Sequence, residues 1–265
     1  MPIDNLQSTT TDPPSGIHIN SLSHEFGRNE SRVLALDNIT LDIAEGEFVS
    51  LVGASGCGKT TLLDIMSGLL APQSGTVLLG DTEPLAGRQD TARMFARDAL
   101  LPWLTAAQNI GFSLATRNVI KEHREEMIMQ LLREVQLEEF ADAYPAQLSQ
   151  GMRQRVALAR TFSLKSKFVL LDEPFGALDA MTKINLQDQL VALWEGTSST
   201  TVVLVTHDLG EAVALSDRIF VLSSRPGKII ANIPISLPRP RNVKELQSLP
   251  KYHELVASLW EKLSQ

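Results

Sequence analysis

The chain has 265 residues, of which 43% are hydrophobic and 21% are charged, and its formal net charge is −7. This composition is ordinary for a globular protein with a sizeable core, built as one large α/β domain or two small ones, and the acidic balance argues against nucleic-acid binding as the main activity. Because Cys57 is the only cysteine, no intrachain disulfide can form, and no apolar run approaches the roughly 18–20 residues of a membrane-spanning helix.

The N-terminal part combines two kinds of predicted strand. Residues 1–16 lack the basic start and apolar core of a secretion signal, and they predict a disordered lead-in of a cytosolic protein. Ile17–Phe26 and Val33–Ile43 alternate apolar and polar residues, which is typical of half-buried antiparallel strands. Glu47–Val52 is more continuously apolar, as strands in the middle of a parallel sheet are. The sequence therefore predicts an antiparallel β subdomain ahead of a parallel sheet.

A glycine-rich segment follows this last strand directly. Gly53–Thr60 fits the pattern G-x-x-x-x-G-K-[ST] between a strand and the predicted helix Lys59–Ser67, the context that a phosphate-binding loop requires. Lys59 would reach the β- and γ-phosphates of a nucleotide, and the Thr60 hydroxyl would bind Mg²⁺. Cys57 suits the loop by its small size, with a redox or nucleophilic role as the alternative. The predicted phosphate-binding residues are Gly53, Ala54, Ser55, Gly56, Cys57, Gly58, Lys59, Thr60 and Thr61.

The middle of the chain changes from strands to helices. Short strands are predicted at Thr76–Leu79 and Arg93–Phe95, and residues 102–148 are predicted to be helical. In Lys121–Leu137 apolar residues recur at helical spacing beside a charged face, which we interpret as a solvated surface. Because this block interrupts an alternation of strands and helices, residues 99–160 predict an inserted α-helical subdomain.

Two further predicted apolar strands are followed by residues that could bind a metal ion or take part in catalysis. Phe168–Leu171 runs into Asp172 and Glu173, and ligands of open α/β sheets bind at the C-terminal ends of strands. Asp172 is predicted to hold Mg²⁺, and Glu173 to polarise the attacking water. Thr201–Val205 is followed by His207, which a neighbouring strand would aim at the γ-phosphate. Such groups at strand ends are often structural, and the upstream phosphate loop is what favours the functional interpretation.

The C-terminal part predicts a strand pair and a helix. Ile219–Ser223 and Lys228–Ile233 flank a turn at Arg225–Gly227, and Leu237–Arg241 (LPRPR) is typical of a stiff, extended linker. Residues 236–265 are therefore predicted to form a linker and an amphipathic helix. The apolar face of this helix would pack on the chain's own core, or alternatively form a dimer or regulatory contact. The residues on that face are Tyr252, Leu255, Val256, Leu259, Trp260 and Leu263.

Taken together, these motifs resemble those of the ATP-binding-cassette (ABC) ATPases. The phosphate loop and the segments LSQGMRQR, LLDEP, FGALD and VTHD occur in the order and approximate spacing of that family, over about Ile17 to Ile230. The resemblance implies an α/β P-loop NTPase (RecA-like) fold with a parallel sheet core in residues 17–235, which binds ATP and Mg²⁺ and hydrolyses ATP.

The resemblance also implies partners and a location. A second ATPase subunit, taken to be an identical chain, would complete the enzyme. Transmembrane permease subunits would bind it at the cytoplasmic face of the inner (plasma) membrane, and a periplasmic or lipoprotein solute-binding protein would act indirectly. No nucleic acid is implied.

The family's residue roles transfer to the matching positions. The signature segment would bind the γ-phosphate of ATP held by the opposite protomer, and its residues are Ser149, Gln150, Gly151 and Met152. Asp179 would communicate across that interface. Phe26 would stack on adenine, where a phenylalanine ring face serves as well as the family's usual tyrosine. Together with the predicted catalytic pair Glu173 and His207, these positions describe a site shared by two chains.

Two positions depart from the family pattern. Gln150 replaces the usual second small residue of the signature, a mild change because Ser149 and Gly151 remain. Ala96 stands where the family has a glutamine that contacts Mg²⁺ and the attacking water and links to the membrane subunit. Losing one such contact would cost about 1–3 kcal/mol and slow turnover without abolishing nucleotide binding. Arg97 or Asp98 could substitute for it, and the sequence leaves this open.

Three functional hypotheses follow. LLPW at 100–103, SSRPGK at 223–228 and PRPR at 238–241 resemble the nitrate/sulfonate/taurine importer branch. The leading hypothesis is the ATP-hydrolysing subunit of a bacterial importer for a small anion such as nitrate, sulfonate or taurine. The alternative is a nucleotide-gated subunit that binds ATP but hydrolyses it poorly because of Ala96. A soluble ABC protein acting on DNA or ribosomes is disfavoured by the acidic, single-cassette chain.

Trp103 would either fill the core of the helical subdomain or contact the membrane subunit.

Overall fold

The computed structural model describes residues 15–27, 32–96, 98–176, 178–197 and 199–263. The predicted lead-in, up to position 14, and Arg97 lie outside these residues. The strands are β1 Ile17–Phe26, β2 Val33–Ile43, β3 Phe48–Val52, β4 Ser74–Leu79, β5 Thr91–Met94, β6 Phe168–Asp172, β7 Thr201–Thr206, β8 Arg218–Leu222 and β9 Ile229–Pro234. The helices are α1 Lys59–Met66, α2 Ala106–Thr116, α3 Lys121–Glu134, α4 Gln150–Phe162, α5 Ala180–Glu195, α6 Leu209–Leu215, α7 Val243–Leu246 and α8 Pro250–Leu263.

Two sheets form the frame of the molecule. β1 pairs antiparallel with β2 and β4, in the order β2-β1-β4. The larger sheet has the order β5-β6-β7-β3-β8-β9, parallel from β5 to β8 and closed at one edge by the antiparallel strand β9. The predicted parallel core, the antiparallel β region and the C-terminal strand pair are confirmed.

The larger sheet is covered on both faces. β3, β6 and β7 are buried along their whole length, which explains their continuous apolar sequences. Val49 and Leu51 face a core formed with α1 and the small sheet, whereas Phe48 and Val52 face a second core formed with helices. This alternation along β3 places the phosphate loop and α1 on the same side of the sheet as the antiparallel strands.

The strand β5 begins and ends earlier than the sequence predicts. Thr91 to Met94 pair with β6, whereas Phe95 lies beyond the strand and is 44% exposed. The predicted bounds, Arg93–Phe95, are wrong because an apolar ring was counted as part of the buried strand. The shift places Arg93 inside the strand, next to β6.

Helical sequence occupies most of the stretch between β5 and β6. The Thr105 hydroxyl begins α2 by accepting a hydrogen bond from the Gln108 N–H, in a reciprocal capping box. In and after α3, Leu132 and Val135 are buried while the charged face is largely exposed, as the helical spacing predicted. Trp103 is 67% exposed, so its interpretation as a core residue is wrong. The subdomain boundaries at 99 and 160 stay a prediction.

The Pro-Arg-Pro-Arg segment, predicted as a stiff and extended linker, is bound to the core by its arginines. Arg239 Nε donates to Asp217 Oδ1 at 2.8 Å, and its guanidinium lies 4.2 Å from the Trp194 ring centre. The Arg241 side chain is 1% exposed and donates to the Ser216 carbonyl at 2.7 Å. Burial lowers the pKa of Arg241 to about 10. The segment is therefore a packed connection to the terminal helix.

The terminal helix α8 packs on the chain's own core. Tyr252 and Leu259 are buried, whereas Trp260 is 63% exposed, so the packed face is narrower than the predicted one. The division of the chain at residue 235 stays a prediction. Across the ranges that the structure describes, no helix combines the length and apolarity needed to cross a bilayer.

An ion pair at the start of β5 predicts a pH-dependent contribution to stability. Arg88 Nε donates to Asp90 Oδ1 at 2.8 Å, and this hydrogen bond lowers the pKa of Asp90 below its ordinary 3.8. The stabilisation is therefore present above the unfolded-state pKa and is lost as the pH falls through the lower folded-state pKa. We expect Asp90→Asn to reduce the free energy of unfolding by about 1 kcal/mol at neutral pH, a modest value because the carboxylate is a third exposed.

Urea unfolding at a series of pH values checks this expectation. The difference between wild type and Asp90→Asn should shrink as the pH falls below the ordinary aspartate pKa of 3.8. Asp142→Asn, at an exposed carboxylate, is the matched control. A difference that stays constant down to the lowest pH at which the protein folds would contradict the assignment.

Candidate functional site

The loop between β3 and α1 is held by close packing against β2. Gly58 has a φ of +100°, and a Cβ there would lie 2.7 Å from Leu36 Cδ2 and 2.9 Å from the Ala35 carbonyl oxygen. Glycine alone fits this position without displacing the backbone. Since α1 begins at the next residue, the N–H groups of its first turn lack partners within the helix, as an anion site needs.

The lysine of the loop is held inside it. Lys59 is only 5% exposed, and its Nζ donates to the carbonyl oxygens of Gly53 at 2.7 Å and Ala54 at 3.0 Å. Phosphate oxygens carry negative charge and form stronger hydrogen bonds with an ammonium group than carbonyls do. Cys57 is 1% exposed within the core shared with α1, which favours its interpretation as a packing residue.

The end of β6 meets the start of α1. Thr60 Oγ1 donates to Asp172 Oδ1 at 3.2 Å, although the two residues lie far apart in the sequence. Asp172 is 4% exposed, and burial raises the pKa of its carboxyl group, with Arg93 and Thr60 acting in the opposite direction. A hydroxyl and a carboxylate oxygen fit Mg²⁺, which is commonly held by one or two such protein ligands and substrate phosphates.

The residue after Asp172 is held in an uncommon backbone conformation. Glu173 has a φ of +46°, and its N–H donates to the Val205 carbonyl of the neighbouring strand at 2.9 Å. Non-glycine residues with such a φ cost about 1–3 kcal/mol and occur disproportionately at functional sites. His207 follows β7, and its Nδ1 lies 3.3 Å from Glu173 Oε1. The predicted neighbourhood of β6 and β7 therefore brings these two side chains into contact.

A cleft of about 360 Å³ opens over the loop. Phe26 forms one wall and is 46% exposed, so its ring is accessible to a ligand. Its edge-to-face contact with His24, at 4.8 Å between ring centres, helps to fix that ring. The cleft is lined by Phe26, Val33, Ala35, Ser55, Gly56, Gly58, Lys59, Thr60, Thr61, Glu173 and Arg225. The cleft thus joins the predicted aromatic ring, six of the nine predicted phosphate-binding residues and Glu173, whereas His207 contacts Glu173 without lining the cleft.

Arg225 is a site residue that the sequence did not single out. It lies in the turn between β8 and β9, and its Nε donates to the Gly56 carbonyl at 3.3 Å. The same turn is fixed by Gly227, whose N–H donates to the Ala35 carbonyl at 2.9 Å. The sequence RPG indicated a turn, but the contact depends on β8 lying beside β3 in the sheet.

The signature segment lies at the N-terminus of α4. Ser149 Oγ accepts a hydrogen bond from the Met152 N–H at 3.3 Å, and Ser149 and Gln150 are exposed. Gly151 is buried, and a Cβ there would lie 2.6 Å from Thr182 Cγ2 of α5. Asp179 Oδ1 accepts from the Thr182 N–H at 3.1 Å and begins α5.

The signature and the cleft remain separate within one chain. Of the described residues, none from Ser149 to Met152 and none near Asp179 lines the cleft over the phosphate loop. The structure therefore brings the predicted phosphate-binding residues together around Lys59. The signature segment and Asp179 lie together around Thr182, and the two sets of residues do not meet within one chain.

Position 96, where the family has a glutamine, is exposed and occupied by an apolar alanine in this chain. Ala96 follows β5 directly, and its methyl group offers no polar contact. Asp98 is engaged elsewhere, because its carboxylate accepts from Arg153 Nε of α4 at 2.9 Å and its carbonyl accepts from Arg160 at 3.0 Å. Asp98 is thus committed to α4 and does not replace the glutamine in this arrangement.

Comparison with known proteins identifies the family to which the chain belongs. The sequence profile described as ABC transporter matches residues 36–176, more than half of the chain. The chain belongs to the ABC transporter family. As an ABC ATPase it binds ATP and is an ATP-hydrolysing transport subunit, as the motifs implied.

Relatives of this ABC ATPase include transport proteins. It is 40% identical over 243 residues to the nitrate transport protein NasD of Klebsiella oxytoca, covering 90% of this chain and 92% of that one. It is 44% identical over 242 residues to the bicarbonate transport ATP-binding protein CmpC of Synechococcus elongatus, covering 90% of this chain but 36% of the longer CmpC. An uncharacterized ABC transporter ATP-binding protein of Methanocaldococcus jannaschii is 45% identical, covering 88% and 87%.

Solved ABC cassettes have the same fold. The ATP-binding cassette MJ0796, a dimer in a post-hydrolysis state bound to ADP and Pi, matches with a TM-score of 0.74 and 31% identity, over 84% of this chain and all of that one. A second dimeric structure of MJ0796 matches with a TM-score of 0.75 and 33% identity. The predicted P-loop NTPase fold is therefore confirmed.

Proposed function

We propose that this ABC ATPase energises uptake of a small anion, such as nitrate, a sulfonate or taurine, through a separate permease. The observation that carries the proposal is the convergence of Lys59, Thr60, Asp172, Glu173 and His207 at one sheet edge beside an accessible aromatic ring. The names of the relatives, nitrate and bicarbonate transport proteins, support a small oxyanion as the solute. The permease would hold the protein at the cytoplasmic face of the inner membrane, with a solute-binding protein on the other side.

The chemistry assigned to the site is attack of water on the γ-phosphorus of ATP, which breaks the bond to the β-phosphate oxygen and gives ADP and Pi. Lys59 would exchange its loop carbonyls for β- and γ-phosphate oxygens, and Thr60 and Asp172 would hold Mg²⁺, which would supply neutralisation of the phosphate charge. Glu173 orients the water and accepts its proton, and His207 holds the Glu173 carboxylate in place. Electrostatic positioning of this kind supplies most of the catalysis in phosphoryl transfer.

We assign the signature segment to a second copy of the chain. Ser149 and the free N–H groups at the start of α4 are suited to phosphate oxygens, yet they lie outside the cleft of their own chain. Two chains arranged head to tail would place this helix end on the opposite nucleotide, with Asp179 beside the shared boundary. The dimeric MJ0796 structures support a two-cassette assembly.

Reconstitution tests the proposal as a whole. The protein, assembled in proteoliposomes with a permease of the nitrate/sulfonate/taurine importer branch, should hydrolyse ATP and accumulate one of nitrate, bicarbonate, taurine or an alkanesulfonate inside the vesicles. The same vesicles containing the Lys59→Ala protein are the control. Solute uptake that is equally fast with the control, or ATPase activity without any solute movement, would overturn it.

The second candidate function, a poorly hydrolysing nucleotide-gated subunit, rests on the polar contact absent at Ala96. Hydrogen bonds at such positions contribute on the order of 1–3 kcal/mol, so a loss there would slow hydrolysis about tenfold to a hundredfold. The paired Glu173 and His207 weigh against this candidate, since a subunit that only binds ATP has no need of them.

Replacement of the Phe26 ring should weaken the binding of ligands that carry a base. We expect Phe26→Ala to weaken ATP binding about tenfold, because stacking of a base on an aromatic ring is worth about 1–3 kcal/mol. Phe26→Tyr should bind as the wild type does, and tripolyphosphate, which lacks the base, should bind all three proteins alike. Isothermal titration calorimetry measures these affinities, with Phe112→Ala, at an exposed ring on α2, as the control. An equal loss for ATP and tripolyphosphate would remove Phe26 from the adenine site.

A further inference from the structure

A buried arginine on β5 reaches the carboxylate that ends β6. The Arg93 side chain is 7% exposed, and its Nη2 lies 3.4 Å from Asp172 Oδ2. Its Nη1 donates to Ser67 Oγ at 3.0 Å and to the Asp64 carboxylate, both in the last turn or cap of α1. The ring of Phe95 lies 4.7 Å from the guanidinium and covers it from outside. Arg93 therefore joins α1 to the edge of the parallel sheet.

The two oxygens of the Asp172 carboxylate have different partners. Oδ1 accepts from Thr60, whereas Oδ2 faces Arg93. The guanidinium thus occupies the side of the carboxylate away from Thr60 and leaves the Thr60 side for a ligand. Among the described residues from 91 to 96, Arg93 is the one whose polar side chain contacts Asp172.

A fixed cation at this distance changes the charge that the site presents. Asp172 and Glu173 are adjacent carboxylates, and Arg93 offsets part of their negative charge within a largely buried environment. Electrostatic interactions are stronger there than in water. A cation held on one oxygen of Asp172 repels a second cation bound to the other oxygen, and this repulsion opposes metal binding directly. Arg93 also helps to orient the Asp172 carboxylate, but Thr60 fixes the same orientation through its hydrogen bond to Oδ1. The charge of Arg93 is therefore its more specific contribution.

We propose that Arg93 is a positioning residue of the nucleotide–metal site, which holds Asp172 with Oδ1 towards Thr60 and, through its charge, weakens the binding of Mg²⁺ with the nucleotide. The proposal rests on the proposed role of Asp172 as a Mg²⁺ ligand. Its consequence is a site that releases the divalent cation more readily than one with a neutral residue at position 93.

Binding of Mn²⁺, a spin-active replacement for Mg²⁺, tests this directly and without hydrolysis. Mn²⁺ is titrated into the full-length protein with a non-hydrolysable ATP analogue, and bound metal is measured by electron paramagnetic resonance. We expect Arg93→Met and Arg93→Gln to bind Mn²⁺ roughly tenfold more tightly, and Arg93→Lys, which keeps the charge, to bind it as the wild type does. The glutamine variant retains hydrogen-bond donors for Asp64, so it keeps the test valid if the methionine variant does not fold.

Two controls separate the possible failures. Arg88→Met removes another ion-paired arginine, three residues before the start of β5 and 13% exposed in its side chain, and should leave Mn²⁺ affinity unchanged. Asp172→Asn should lose most of the Mn²⁺ affinity, and an unchanged affinity in that variant would overturn the proposed metal site itself. If Asp172→Asn loses affinity while both neutral Arg93 variants match or fall below the wild type, the role of Arg93 alone is overturned. A purely structural Arg93 would change the melting temperature without tightening metal binding.

Discussion

Glu173→Gln is expected to reduce single-turnover ATP hydrolysis by about 10²–10⁴-fold, the usual contribution of a general base. The amide cannot accept the proton of the attacking water, whereas it retains the size of the carboxylate and one hydrogen-bond-accepting oxygen. Because Glu173 lines the cleft without being part of the phosphate loop, ATP affinity should change by about twofold or less. Quenched-flow measurement of ADP formation, together with equilibrium ATP binding, checks both parts.

The same variant distinguishes the two candidate functions. In an efficient hydrolase, Glu173→Gln should accumulate an ATP-bound dimer, which size-exclusion chromatography with light scattering detects. In a subunit that is already a poor hydrolase, the wild type should accumulate this dimer as well, and the substitution should change hydrolysis little. Glu254→Gln, at an exposed carboxylate on α8, is the matched control and should behave as the wild type.

Lys59→Ala is expected to have the largest effect on ATP binding itself. Lys59 is only 5% exposed, and its ammonium group lies beside the Gly53 and Ala54 carbonyls, where it would face two phosphates of the nucleotide. Hydrogen bonds to charged groups contribute about 1.5–3 kcal/mol each, so the loss of two predicts at least a hundredfold weaker binding. Calorimetric titration with ATP measures the change.

A neighbouring lysine gives the control for Lys59→Ala. Lys228 is half-exposed, pairs with Asp37 at 2.8 Å and lies close to the same loop without lining the cleft. Lys228→Ala should leave ATP affinity within about twofold of the wild type, because exposed ion pairs contribute at most about 1 kcal/mol. Equal losses in the two variants would mean that general positive charge, rather than the position of Lys59, attracts the nucleotide.

Features that depend on neighbouring residues could be predicted from the sequence. The phosphate loop is recognisable because glycines, a lysine and a hydroxyl must follow one strand at fixed spacing. The bounds of β1 and β2 were predicted to the residue because alternation of apolar and polar side chains is a local pattern. The side-by-side placement of the two buried strands was also foreseen, whereas the contact of Glu173 with His207 that results from it was not.

Features that depend on register or packing were missed or misjudged. The end of β5 was placed at Phe95 because hydrophobicity alone does not show where pairing with β6 stops. An arginine inside that short strand was a signal that Arg93 has a buried partner, but the sequence does not identify the partner. The Pro-Arg-Pro-Arg segment was predicted as a stiff, extended linker, and its packing was missed because the buried acceptors of its arginines lie in distant segments.

The sequence by itself determined the family, the phosphate loop, the carboxylates after β6 and the histidine after β7, because each depends on residue types at short, fixed spacings. The tertiary structure alone decided that Arg93 faces Asp172, 79 residues away, and that Arg225 faces Gly56, 169 residues away. That the signature helix lies outside the cleft of its own chain was implied by the family resemblance, and the structure agrees with it. These contacts follow from the strand order β5-β6-β7-β3-β8-β9. The strand order is a property of the whole chain rather than of any one segment.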